Sequence, residues 1–246
     1  MLKFLKQSIY KTGNAIKLLS LELGIVLIAF FCSMFLVAFL IKEVFLDKTF
    51  TLDETIFTIF EGYVSDKTTA FFNFFTYFGS HKFLVPANLL LMFIAFFIMR
   101  NKWFGIKVTA VAFTSLFMMF ALKTFFNRPR PEIPLLGAVR GLSFPSGHAF
   151  MSFAFFGLLI YVFYKQIKNI YLKVFLILFC LAMIVIIALS RIYLRVHYTS
   201  DVLAGLSIGL IWLVISLGIL NAIENRTKAM RLNKREFLAS STDQPQ

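Results

Sequence analysis

Six stretches of the chain are almost wholly apolar and carry no charged residue. They cover residues 23–41, 83–99, 108–122, 149–164, 174–190 and 202–223. Each runs unbroken, with none of the in-out alternation of a half-buried strand. A bilayer-spanning helix needs roughly 17–25 apolar residues, and flanking lysines extend a shorter one by snorkelling. Lipid offers no partner to an unpaired backbone group, so every such span is expected to be helical. The pattern predicts an all-α fold, a bundle of six transmembrane helices.

The longest connection, residues 42–82, is different. Asp47, Asp53, Glu54, Glu61 and Asp66 are set among apolar runs such as Ile56-Phe57 and Phe71-Phe72-Asn73-Phe74-Phe75. This mixture predicts short amphipathic helices lying at the membrane interface. They either pack onto the bundle or form a lipid entrance. Gly205 and Gly209, four apart in the last span, favour close packing of that helix inside the molecule. The first span follows Lys3, Lys6, Lys11 and Lys17 and is too long for a signal-peptide core, so it reads as a retained anchor. Residues 1–225 form one membrane domain. Residues 226–246 form a basic cytoplasmic tail, disordered at its polar end.

Composition supports the membrane reading. Hydrophobic residues make up 59% of the 246, and mean hydropathy is +0.82. Soluble domains sit nearer half. The formal charge of +13 is spread over short loops. That distribution argues against nucleic-acid binding and suits contact with anionic headgroups. Alternating the spans from a cytoplasmic N-terminus puts 15 of the 25 Lys and Arg on the cytoplasmic side. This satisfies the positive-inside rule, with both termini cytoplasmic. Cys32 and Cys180 fall inside spans and read as buried, reduced thiols.

Three polar clusters interrupt this pattern, all at span ends on the extracytoplasmic side. Ionisable residues at membrane depth are costly, so they are functional candidates by default. In the first, Lys123 closes the third span, and Asn127-Arg128-Pro129-Arg130-Pro131 cannot continue its helix. A compact cation and a planar fork, Lys123 and Arg130, are a sound pair for a phosphoryl group. In the second, Pro145-Ser146-Gly147-His148 opens the fourth span. Ser146 is a plausible N-cap, Gly147 allows close backbone approach, and the helix N-terminus favours an anion. In the third, Arg191 ends an apolar run, with His197 and Asp201 beyond it. If helical, that four-residue spacing puts His197 and Asp201 on one face. The carboxylate would then fix the imidazole tautomer.

Lys123-x6-Arg130-Pro131, Pro145-Ser146-Gly147-His148 and Ser190-Arg191-x5-His197-x3-Asp201 together resemble the three-part signature of the type 2 phosphatidic acid phosphatase (PAP2) superfamily. The motifs lie between residues 123 and 201, and no signature residue is missing. The resemblance implies a membrane lipid phosphatase acting through a phosphohistidine. His197 would be the nucleophile, Asp201 its orienting carboxylate, and His148 the acid to the leaving oxygen and then the base to water. Lys123, Arg130, Ser146, Gly147 and Arg191 would hold the phosphoryl oxygens. No metal or other cofactor is implied. The implied partners are membrane lipids and a lipid phosphate substrate: phosphatidate, phosphatidylglycerol phosphate, undecaprenyl diphosphate or lipid A phosphates. The implied setting is a bacterial cytoplasmic (inner) membrane with an extracytoplasmic site. The lipid and the oligomeric state are left open by the sequence.

Arg128, Arg140 and Arg195 lie outside the signature and fit headgroup contact or surface charge. A non-catalytic lipid phosphate binder or transporter on the same scaffold is the alternative function. It would not require both histidines and Asp201. A vanadate-holding haloperoxidase is a third reading, disfavoured by the spans.

Overall fold

A computed structural model describes residues 2–47, 51–132, 134–135 and 141–242, with side chains described from residue 21 to residue 234. Regular structure among these residues is helical throughout. The helices are α1 (Leu2–Ile41), α2 (Thr51–Glu61), α3 (Asp66–Tyr77), α4 (His81–Phe93), α5 (Lys102–Phe126), α6 (Gly147–Gln166), α7 (Ile170–Tyr193) and α8 (Thr199–Thr242). Helix α1 continues into a π-helical turn, Lys42–Asp47, and α4 into another, Ile94–Ile98. The tail residues 226–242 prolong α8 without a break.

Six segments are long and apolar enough to cross a membrane, matching the six spans read from the sequence. The second is longer than expected. It begins at Asp66 rather than near residue 83, and is α3 and α4 in series, broken at residues 78–80. Its first half is masked in the sequence by Asn73 and Thr76. Thr76 is buried and accepts a hydrogen bond from Arg191 Nη1 at 2.6 Å, so its polarity is satisfied inside the protein. Helix α3 starts on a reciprocal capping box. The Ser65 hydroxyl accepts from Thr68 N–H, and the Thr68 hydroxyl accepts from Ser65 N–H. Of the two readings of residues 42–82, packing onto the bundle is what α2 and α3 do. Phe60 and Phe72 pack against Tyr193 at the end of α7.

Helix α6 is the centre of the bundle. One apolar cluster joins Leu84, Phe155, Phe156 and Ile187 from α4, α6 and α7; another joins Val108, Val111, Leu158 and Leu213 from α5, α6 and α8. The outer faces are apolar as well. Phe117, Phe125 and Tyr171 are each at least 75% exposed, as lipid-facing side chains must be. Cys180 is buried, but Cys32 is exposed on the outer face of α1, which corrects the expectation for that thiol. Lys107, placed in the cytoplasmic collar by the charge pattern, is also buried. Its ammonium donates to Glu224 at 2.6 Å and ties α5 to α8 at the end away from Lys123.

The two glycines of the last span pack α8 onto α6. A Cβ at Gly205 would stand 2.7 Å from the Ser146 carbonyl oxygen and 3.1 Å from Ala149 Cβ. A Cβ at Gly209 would stand 2.9 Å from Phe153 Cβ. Backbone on the far side cannot yield cheaply. Gly205→Ala is therefore expected to destabilise the protein by about 1–3 kcal/mol. Thermal unfolding in detergent checks this; an unchanged midpoint would show that α6 and α8 have room to separate.

Candidate active site

The three polar clusters meet at one end of the bundle. Lys123 lies in the last turn of α5, which Asn127 closes in a left-handed conformation (φ 46°). Gly147 and His148 open α6. His197 is not helical, as the four-residue spacing had suggested. It sits in the turn between α7 and α8, where Arg195 adopts φ 52° and both Val196 N–H and His197 N–H point at the Arg191 carbonyl. Asp201 is in the first turn of α8, where it accepts the Tyr198 N–H at 2.9 Å and so secures its own helix start.

Lys123, Arg130, Gly147, His148 and His197 line one cavity of about 370 Å³. Its polar end holds these five residues. It continues as an apolar groove along α4 and α5, past Leu84, Val85, Leu89, Met92, Phe113 and Leu116. His81, a third histidine outside the motifs, also borders it. Ser146, Arg191 and Asp201 are buried and do not line this cavity. Ser146 occupies the N-cap position, yet its hydroxyl caps nothing, and its N–H donates to the Asp201 carbonyl at 2.9 Å. Ser146 Oγ and Arg191 Nε are buried with no hydrogen-bond partner. Unpaired buried donors are rare and costly, and here two belong to residues expected from the motifs to hold phosphoryl oxygens. A Cβ at Gly147 would stand 2.8 Å from Met119 Sδ, the far end of a flexible side chain that would have to shift. Gly79, at the break between α3 and α4, makes room for His148 in the same way, with Cδ2 3.1 Å from where a Cβ would lie.

Around His197 the geometry assigns the protons. Asp201 Oδ2 stands 3.6 Å from Nδ1, beyond hydrogen-bond range. The Ser143 hydroxyl lies between them, donating to Asp201 Oδ2 and 3.3 Å from Nδ1. A carboxylate can only accept, so the Ser143 proton goes to Asp201 and its oxygen is left to accept Nδ1–H. Nε2 then keeps its lone pair. It faces Arg130 Nη1 at 3.4 Å, on the cavity side. Arg130 is itself held by the carbonyls of Gly141 and Val196, at 3.1 and 2.9 Å. Lys123 Nζ is held by the Leu142 carbonyl at 2.6 Å. Ser143 was not singled out from the sequence; its one signal was adjacency to the Phe144-Pro145-Ser146-Gly147-His148 run.

Burial pushes the His197 imidazole down to about 3, against the opposing pull of Asp201; Arg191 and Arg130 reinforce the fall. Burial also lowers the Arg130 guanidinium. Histidine in an unfolded chain titrates near 6.5. Between about pH 6.5 and 3 the unfolded chain binds a proton that native His197 refuses, so this residue costs stability as pH falls through that window. Thermal midpoints should therefore drop more steeply from pH 7 to pH 4 for the wild type than for His197→Gln. Parallel curves would contradict a neutral buried imidazole.

Of the remaining arginines, Arg128 is corrected by the structure. Arg128 is neither headgroup-facing nor superficial: it is 5% exposed, with Nη1 2.6 Å from Asp201 Oδ1 and Nη2 3.0 Å from Asp53 Oδ2. Asp53 is thus a second buried carboxylate that shares this arginine with Asp201. Arg195 pairs with Glu61 of α2 at 3.3 Å on the rim. Arg140 lies outside the described residues.

A model of the PAP2 superfamily matches residues 103–224, which hold all three motifs. Phosphatidylglycerophosphatase B of Bacillus subtilis (strain 168) is 29% identical over 137 residues, 55% of this chain and 67% of that protein. Among solved structures, the transmembrane PAP2-type phosphatidylglycerolphosphate phosphatase from Bacillus subtilis superposes with a TM-score of 0.69. It is 24% identical, over 80% of this chain and 96% of that one. LpxE of Aquifex aeolicus superposes with a TM-score of 0.52 at 31% identity, over 67% of this chain and 93% of that one. The fold agrees with that of these solved structures, and the chain is an integral membrane protein of the PAP2 superfamily.

Proposed function

We propose that the protein is a metal-independent lipid phosphate phosphatase. The observation that carries this reading is the cavity in which His148, His197, Lys123 and Arg130 meet an apolar groove along membrane-spanning helices. From Lys123 down α5 to Ala112 the groove runs 11 residues, about 16 Å at helical rise. That length suits a hydrocarbon chain whose phosphate lies among Lys123, Arg130 and His197.

The chemistry follows from the proton positions. His197 Nε2 attacks phosphorus, and a nitrogen–phosphorus bond forms as the bond to the lipid oxygen breaks. His148 gives its proton to that oxygen. It then takes one from water, whose oxygen attacks the phosphohistidine and releases inorganic phosphate. The Ser143-bridged Asp201 stabilises the cationic imidazole formed on attack. Lys123, Arg130 and the α6 N-terminus, which face the cavity, offset the charge on the phosphoryl oxygens, and Arg191 and Ser146, buried behind it with unpaired donors, support them; this is the task a metal performs in other phosphoryl-transfer sites. Phosphatidylglycerol phosphate is the favoured substrate, supported by what the Bacillus subtilis relative is named for. The distribution of Lys and Arg supports cytoplasmic termini and an extracytoplasmic site.

The test is phosphate release by purified protein in detergent with EDTA present. The panel is phosphatidylglycerol phosphate, phosphatidate, undecaprenyl diphosphate and lipid A. Release from at least one, undiminished by EDTA, is expected. Binding without release from any of them would overturn the reading in favour of a lipid phosphate binder.

A further inference from the structure

We propose that Asp53 and Arg128 are positioning residues that hold Asp201, and through it His197, in the attacking geometry; this rests on the phosphatase reading above. Neither belongs to the three motifs. Asp53 comes from α2, 147 residues before the Ser200 it binds.

The contacts form a closed set. Asp53 Oδ1 accepts the Ser200 N–H at 2.8 Å, and Oδ2 accepts the Ser200 hydroxyl at 2.7 Å. The same Oδ2 accepts Arg128 Nη2 at 3.0 Å. Arg128 Nη1 donates to Ser200 Oγ at 2.8 Å and to Asp201 Oδ1 at 2.6 Å. Its guanidinium lies 4.1 Å from the Tyr198 ring centre. Asp53 is 2% exposed and Asp201 is fully buried.

Asp53 therefore acts on Asp201 along two routes. Through Ser200 N–H it satisfies an otherwise orphaned donor in the first turn of α8, doing from another helix what an N-cap does from its own. Through Arg128 it fixes the fork that grips Asp201 Oδ1. That leaves Oδ2 for Ser143, whose oxygen accepts from His197 Nδ1. A lysine at 128 could reach one carboxylate as a point charge, but it could not bridge two with a rigid fork. The fixed ring in turn sets the angle at which Nε2 meets phosphorus. Small misplacements of a nucleophile cost rate rather than binding, on the order of 100-fold for about 1 Å.

The experiment uses the full-length protein in detergent, with short-chain phosphatidate and phosphatidylglycerol phosphate as probes. Rates are normalised to folded protein by size-exclusion chromatography. Asp53→Asn and Arg128→Lys are each expected to lower kcat about 10- to 100-fold, with KM within about twofold of wild type. The control Glu54→Gln, an exposed neighbour on α2, should match wild type. In an Asp201→Asn background, adding Asp53→Asn should cost less than about threefold more, because the group it positions is already disabled. A merely structural role would instead leave kcat per folded molecule unchanged, or multiply the losses in the double variant. Either result overturns the proposal. If Asp53→Asn does not fold, Arg128→Lys, which keeps a cation between the carboxylates, decides it alone. A wild-type protein that releases no phosphate from either probe would instead defeat the phosphatase reading for these lipids.

Discussion

His197→Ala is expected to lower phosphate release by about 10⁴-fold or more, as removal of a nucleophile does elsewhere. The reason is specific to this site. Nε2 is the nitrogen left unprotonated by the Ser143–Asp201 arrangement, and it is the one facing the cavity. Of the other four residues at the polar end, Gly147 has no side chain, Lys123 and Arg130 are cations, and His148 is assigned to the leaving group. The variant should still fold. Asp201 keeps Arg128, the Ser143 hydroxyl and the Tyr198 N–H as donors, so no buried charge is stranded. It should also still bind, because the cations remain. A wild-type-sized thermal upshift with short-chain phosphatidate, without turnover, is the expected signature. Retention of more than a tenth of the activity would remove His197 from the nucleophile's role.

Arg128→Met is expected to be the most damaging single change to stability. It leaves Asp53 and Asp201 buried within a few ångströms of the same place with no cation between them. Removing one partner of a buried ion pair costs about 3–5 kcal/mol, because the other charge stays buried and unpaired. At roughly 2–4 °C per kcal/mol for a protein of this size, the thermal midpoint should fall by about 10 °C. Removing one of the stranded charges should then help. Arg128→Met with Asp53→Asn is expected to unfold at a higher temperature than Arg128→Met alone. An additive further loss would mean that the two carboxylates do not share this arginine energetically.

Much of this molecule is legible in its sequence because lipid simplifies the problem. A run such as 202–223 has no structural option but a helix. The motif residues are legible because cations and histidines at span ends have few inexpensive reasons to be there. What escaped is polar chemistry supplied across long sequence distances. Asp53 looks like one acidic residue among six in an amphipathic connection, and only the fold brings it to Ser200. Arg128 is masked by Arg130 two residues on, since both follow the same helix end. The turn holding His197 escaped because a four-residue spacing reads as helix, whereas the left-handed Arg195 breaks it. The early start of the second span escaped because Thr76 lowers local hydropathy while its hydroxyl is spent on Arg191.

The arginine clasped between two carboxylates also has a consequence for how the chain is built into its membrane. Asp53 and Arg128 are synthesised well before Ser200 and Asp201, which lie 72 and 73 residues beyond Arg128. Until α8 emerges, the cation has one buried carboxylate rather than two, and the α8 end of the clasp does not exist. The half-made bundle must keep these charges near the headgroups, where water can still reach them, and admit them to the interior only when the last helix arrives. Closure of this end of the bundle is thereby tied to completion of the chain: a ribosome that stops short of residue 199 releases a protein with five spans and no Asp201 to stand behind His197.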